Sequence, residues 1–244
     1  MRWKCTVAYD GTQFDGWQSQ PNGNTIQDLI EKRLSTLFDR SIRIHSCSRT
    51  DSGVHAKAHV FHFDGHWSHS SEELLRALRS GYPNSIQVYR AEQVSEEFHA
   101  RYSSTGKRYH YQLCEGYASP FETRYTWSIG QRRLDVEKMN AAASLLLGTH
   151  DFASFSANNG EVEDKTVKDL RLLQVTRDGS RIVVETEASG YAYKMVRSLV
   201  GCLVDVGVGK LSSSSVLEIL REKKRTNKVL TAPAQGLFLE EVFY

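Results

Sequence analysis

No apolar run in this chain approaches the roughly 20 residues that a helix needs to cross a bilayer. A helical membrane protein is therefore not expected. The four cysteines, Cys5, Cys47, Cys114 and Cys202, include no Cys-x-x-Cys pair. That spacing disfavours a structural zinc site or a disulfide scaffold and suits a reducing, cytoplasmic setting. Excess charge is also missing. With a net charge of only +2, any nucleic-acid binding must come from local basic patches. Met1-Arg2-Trp3-Lys4 runs directly into a strand-like pattern, so no signal peptide is expected. No segment repeats another letter for letter.

What remains is an ordinary globular composition, 40% hydrophobic and 25% charged. A chain of 244 residues suits one large domain or two of roughly 100 to 120 residues. Residues 3–9 alternate as a strand, with Cys5, Val7 and Tyr9 on one face. A long loop rich in glycine and aromatics follows over residues 10–23, where Phe14 and Trp17 serve either as core plugs or as functional contacts. Thr25 is placed to cap a helix carrying Ile26, Leu29, Ile30, Leu34 and Leu37 at helical spacing. Strands over residues 43–47 and 58–64, a helix over 71–79 and a strand over 86–94 complete a split βαβ order. The second half shows the same order with insertions. Its strands are expected over residues 107–114, 169–176, 181–188 and 237–243, and its helices over 136–147, 194–206 and 213–224. Residues 177–180 form the expected hairpin turn, and residues 158–164 the expected flexible stretch.

Between two of these strands lies Cys47-Ser48-Arg49-Thr50-Asp51-Ser52-Gly53-Val54-His55-Ala56. A polar loop held by rigid strands is where reactive side chains are commonly presented. Asp51 has Arg49 two residues before it and His55 four after. A carboxylate so placed can act as nucleophile or base. Spacing alone favours an Asp that bonds its own backbone in a turn. A glycoside hydrolase would need a second, facing carboxylate, and none is evident in the sequence. His55, His59, His62, His66 and His69 form a run, but His59 and His62 fall on opposite faces of the expected strand. A metal site is therefore not expected.

Arg49-Thr50-Asp51-Ser52-Gly53-Val54-His55-Ala56 resembles the signature of the TruA-type tRNA pseudouridine synthases, with Ser48 and Ser52 replacing Gly and Ala. The resemblance continues along the chain. Tyr9-Asp10-Gly11-Thr12 with Phe14, Gly16, Trp17, Gln18 and Gln20 is similar to another family pattern. So are Phe98-His99-Ala100-Arg101, Arg108-Tyr109-His110-Tyr111 and Gly190-Tyr191-Ala192-Tyr193-Lys194-Met195-Val196-Arg197. Gly148-Thr149-His150-Asp151-Phe152 and Ala232-Pro233-Ala234-Gln235-Gly236-Leu237 match two more.

This resemblance implies an α/β (α+β) protein of two ferredoxin-like halves, residues 1–100 and 101–244, with joined antiparallel sheets around a central cleft. It implies a homodimer that holds tRNA and needs no cofactor. The reaction would isomerise uridine to pseudouridine in the anticodon stem-loop, at positions 38 to 40 by the tRNA convention. Asp51 would be the catalytic group, either attacking the sugar or removing its C2′ proton. Arg197 would pair with it, with Asp205 as the local alternative partner. Tyr109 would stack on the target base and handle a proton. Arg49, Arg108 and His55 are the further candidates for substrate contact. Lys223-Lys224-Arg225-x-x-Lys228 reads either as a solvated helix end or as a phosphate contact. The rival from another class is a non-catalytic RNA-binding module of ferredoxin-like plan.

Overall fold

A computed structural model describes residues 1–157 and 166–244. The expected flexible stretch, residues 158–164, lies outside the described residues. The chain separates into two compact units, Met1–Thr105 with Phe238–Tyr244, and Gly106–Leu237.

The first unit runs β1 (Arg2–Tyr9), α1 (Ile26–Phe38), β2 (His45–Ser46), β3 (His55–Asp64), α2 (Ser71–Arg79) and β4 (Ile86–Val94). Its sheet has the order β4-β1-β3, with β2 on β3 and all these pairings antiparallel. That is the split βαβ plan, in which β3 lies between the two strands that α1 connects. Thr25 caps α1 as the sequence indicates, its hydroxyl accepting from the Asp28 N–H at 3.2 Å. Ser70 and Glu73 form a reciprocal capping box at the start of α2, a device that typically contributes about 1 kcal/mol. Ile30 and Leu34 of α1, Leu74 and Leu78 of α2, and Phe61 and Phe63 of β3 are all fully buried.

Two strand boundaries differ from the sequence reading. The strand expected over residues 43–47 shrinks to His45–Ser46. Its alternation is real, with Ile42 and Ile44 buried. The Ile44 N–H, however, donates to the Glu31 carboxylate on α1 at 3.1 Å instead of to a strand. The strand expected from residue 58 begins at His55. Its early residues find partners remote in sequence, Ala56 opposite Tyr9 and His55 beside Phe238. The strand β10 (Leu237–Phe243) that supplies Phe238 runs parallel to β3, so the sheet is mixed at this pairing. Parallel pairing needs no hairpin, only a long return of the chain.

The second unit contains β5 (Gly106–Cys114), β6 (Trp127–Ser128), α3 (Val136–Ser144), β7 (Gly148–Asp151), β8 (Val167–Asp178), β9 (Arg181–Ala188), α4 (Met195–Gly207) and α5 (Ser213–Glu222). Its sheet order is β5-β9-β8-β7, antiparallel throughout, with β6 added in parallel to β5. β8 and β9 extend to Asp178 and Arg181, which pair, so the hairpin turn narrows to Gly179-Ser180. The helix expected over residues 136–147 stops at Ser144, and Gly148 follows at a positive φ. Helix α4 is apolar nearly all round because it is buried nearly all round. Among the described residues no helix is long and apolar enough to cross a membrane.

Candidate active site

The Asp51 loop, residues 47–54, is braced by the glycine- and aromatic-rich loop that follows β1. The Tyr9 hydroxyl and the Thr50 hydroxyl lie 2.8 Å apart in a buried hydrogen bond. The Trp17 N–H donates to the Thr50 carbonyl at 3.1 Å. A Cβ at Gly16 would come within 2.6 Å of that carbonyl, and one at Gly11 would overlap the Val54 carbonyl. These two glycines let one loop lie directly on the other. Phe14 and Trp17 are buried, Trp17 completely, which favours the core-plug reading over RNA contact. Trp17 stacks on His59 with ring centroids 3.7 Å apart. His59 in turn lies 3.0 Å from the Ser48 carbonyl through Nε2. The Ser52 hydroxyl donates to the Phe14 carbonyl at 3.1 Å, so this departure from the family pattern adds a brace to the loop.

Thr50 is thus held on both its side chain and its carbonyl, while its neighbour Asp51 is half-buried and Arg49 is exposed. The Asp51 carbonyl accepts from the Val54 N–H at 3.1 Å, closing the turn. His55 is placed differently from a substrate contact. It is 1% exposed and stacked on Phe238 at 4.6 Å. Its Nδ1 accepts from the Gly11 N–H at 3.0 Å, with an Asp10 carboxylate oxygen 3.1 Å away. Tyr9, Gly11, Gly16 and Thr50 are the supports that side-chain chemistry alone did not reveal. The signal available in sequence was the pair of glycines in an otherwise long loop.

In the second unit Tyr109 lies on β5, 6% exposed, with its ring edge-to-face against Tyr191 at 5.2 Å. The Tyr191 hydroxyl, new relative to the family's Phe, is 3.0 Å from the Thr186 hydroxyl. Burial raises the Tyr191 phenol well above its ordinary pKa, so it stays neutral. Arg108 pairs with Glu187 on β9 at 2.8 Å, directly across the strands. Arg197 sits in the first turn of α4. Its Nε donates to the Ala232 carbonyl at 2.7 Å, and the Ala232 N–H donates back to the Arg197 carbonyl at 2.9 Å. Asp205, the local candidate to pair with Arg197, is 3.3 Å from Lys210 instead. The Tyr111 hydroxyl donates to the Pro233 carbonyl at 2.8 Å and is structural.

The histidines of β3 do not converge. His59 faces Trp17, whereas His62 stacks on His45 at 5.0 Å and meets His99 edge-on at 4.7 Å. Among the described residues no group of three His, Cys, Asp or Glu is arranged to hold a metal. His62 Nδ1 accepts from the Ala100 N–H at 3.1 Å. Burial, reinforced by His99, Arg2 and His45 and opposed by Asp64, pushes His62 down to about 4. The unfolded chain therefore binds more protons at this group between that value and the usual 6.5. Stability should fall as pH drops through that window. Thermal melts of His62→Gln should show a shallower loss between pH 6.5 and 4 than wild type. Equal slopes would remove His62 as the cause.

A family profile described as tRNA pseudouridine synthase matches residues 6–103 and 142–244. The chain belongs to the tRNA pseudouridine synthase family. The tRNA pseudouridine synthase A of Bacillus pumilus (strain SAFR-032) is 42% identical, over 100% of this chain and 99% of its own length. That of Bacillus subtilis (strain 168) is 41% identical with the same coverage. That of Thermoanaerobacter sp. (strain X514) is 39% identical over 98% of this chain and 97% of its own. Members of this family are isomerases acting on uridine in tRNA. The matched residues include Asp51 and Arg197, while Arg108 and Tyr109 fall between the two matched blocks.

Proposed function

We propose that this tRNA pseudouridine synthase modifies uridines 38 to 40 of the anticodon stem-loop with Asp51 as its catalytic residue. The observation that carries the assignment is the anchoring of Thr50 by Tyr9 and Trp17, which presents the adjacent, half-buried Asp51 on a rigid loop. Such preorganisation is what a catalytic carboxylate requires. The N1–C1′ bond breaks, the base turns, and C5 bonds to C1′ as the C5 proton leaves and N1 gains one. Substrate and product are isomers, so the atoms balance without a redox partner or cofactor. Asp51 serves either as nucleophile on the sugar or as base toward C2′. Tyr109 stacks on the turning base, and Arg197 orients the aspartate. Arg49, exposed beside Asp51, holds the base out of its stack. His55 supports the loop from behind, and Arg108 reaches substrate only in competition with Glu187. The enzyme acts as a cytoplasmic homodimer. A non-catalytic RNA-binding module would keep the basic and aromatic residues but would have no use for a braced aspartate. Pseudouridine mapping in tRNA from cells with and without the gene tests the assignment. Unchanged signals at positions 38 to 40 would overturn the site specificity.

Binding should be salt-sensitive despite the net charge of +2. Each lost phosphate contact lowers the slope of log affinity against log salt by roughly 0.7 to 0.9. Arg49→Gln should lower the slope, because Arg49 is exposed. Arg108→Gln should lower it less, because its fork is already held by Glu187. An affinity for tRNA that stays flat from low to moderate salt would refute a basic binding surface.

A further inference from the structure

The basic stretch at the end of α5 does not behave as one patch. Lys223, Lys224 and Lys228 are exposed, but Arg225 turns inward. Its Nη1 donates to the Ser198 hydroxyl on α4 at 2.8 Å and to the Phe155 carbonyl at 3.2 Å. Its Nη2 donates to the Thr231 hydroxyl at 2.6 Å and to the Val229 carbonyl at 3.2 Å. No carboxylate pairs with it among the described residues, and burial pulls the guanidinium below its ordinary pKa. A half-buried cation whose acceptors among the described residues are all neutral is an expensive clamp, so what it clamps is informative.

It clamps residues 229–232, a strap lying directly on α4. Gly201 marks the contact, since a Cβ there would overlap the Leu230 carbonyl. Arg197 is one helical turn before Gly201, on the same face. The strap ends on Ala232, which holds Arg197 by the reciprocal pair of hydrogen bonds described above. The guanidinium of Arg225 is therefore linked to that of Arg197 through the short run of backbone over residues 229–232. Ser198, beside Arg197 on α4, closes the loop from the other side.

We propose that Arg225 is a positioning residue for the isomerisation: it fixes the strap on α4 so that Ala232 sets the orientation of Arg197. This rests on the reading that Arg197 serves the catalytic aspartate. A planar fork can satisfy four acceptors on three segments at once, which an ammonium cannot. Arg225→Lys should accordingly be almost as damaging as Arg225→Gln. Gly201→Ala should act in the same direction by lifting the strap without touching Arg225.

The experiment is single-turnover pseudouridine formation with saturating tRNA, alongside tRNA affinity, for Arg225→Gln, Arg225→Lys, Gly201→Ala and Arg197→Gln, with the Arg225→Gln/Arg197→Gln and Gly201→Ala/Arg197→Gln doubles. Misplacing a catalytic group by an ångström costs up to about a hundredfold. The Arg225 and Gly201 variants should thus be about 10- to 100-fold slow, with tRNA affinity within about twofold of wild type. In the Arg197→Gln background the same changes should cost almost nothing, because they act through Arg197. Additive losses in the doubles, or wild-type rates in the folded single variants, would overturn the positioning role. Where Arg225→Gln fails to fold, Gly201→Ala and its double decide the matter. A wild-type rate for Arg197→Gln itself would instead refute the assigned role of Arg197, a separate result.

Discussion

Asp51→Asn should fold, bind tRNA and form no detectable pseudouridine. The loop that carries Asp51 is held by Thr50, by the glycine contacts and by the Asp51 carbonyl, none of which depends on the carboxylate. Asn keeps the size and most of the hydrogen-bonding capacity of Asp. What it removes is the charge, and with it the nucleophile or base. Loss of such a group costs several orders of magnitude in rate. A substitution at a half-buried loop position that leaves the backbone anchors in place should change stability by only about 1 kcal/mol. Deamidation of the introduced Asn would restore Asp and mimic residual activity, so Asp51→Ala belongs beside it. If both variants, verified intact by mass, convert uridine at near the wild-type rate, the assignment of Asp51 is wrong and the mechanism goes with it.

Tyr109→Phe and Tyr109→Leu should separate two roles of one side chain. Phe keeps the ring and its edge-to-face contact with Tyr191, so tRNA binding should stay close to wild type. A hydroxyl that moves a proton contributes about 10²- to 10⁴-fold, and single-turnover conversion by the Phe variant should fall by that order. Leu also forfeits base stacking, worth about 1 to 3 kcal/mol, and should weaken binding as well as turnover. The Tyr191 hydroxyl cannot substitute for the lost one, since it is engaged with Thr186 and held neutral by burial. Equal single-turnover rates for wild type and Phe would leave stacking as the whole role of Tyr109.

The helices were the most legible part of the chain because their signals are local. The Thr25 cap and the Ile26, Ile30, Leu34 stripe follow one another at steps of at most four residues, and α1 follows them. The same holds for α4, whose apolar sequence, interrupted only by Arg197, Ser198 and Asp205, reads directly as burial. Strand ends were less legible, since a strand needs a partner that lies elsewhere in the sequence. The alternation before His45 matches that of a strand, yet the Ile44 N–H found a carboxylate on α1 and the ladder never formed there. His55 looked like the end of a polar loop, yet Phe238 and Tyr9 draw its neighbourhood into β3.

The sequence by itself determined the family and the α+β plan and singled out Asp51, Tyr109 and Arg197 as candidates, because motif, periodicity and capping are properties of short stretches. Only the tertiary structure decided what those residues lean on. Trp17 is a buried brace and His55 a support, because contacts across the folded first unit exclude them from solvent. The last strand pairs with β3 because a hydrogen-bond ladder depends on which edge is open in space, whatever the chain distance. Arg225, one of four basic residues in six, turned out to be the one facing inward. Its acceptors are spread over residues 155 to 231, and no local pattern records a cluster assembled from that span.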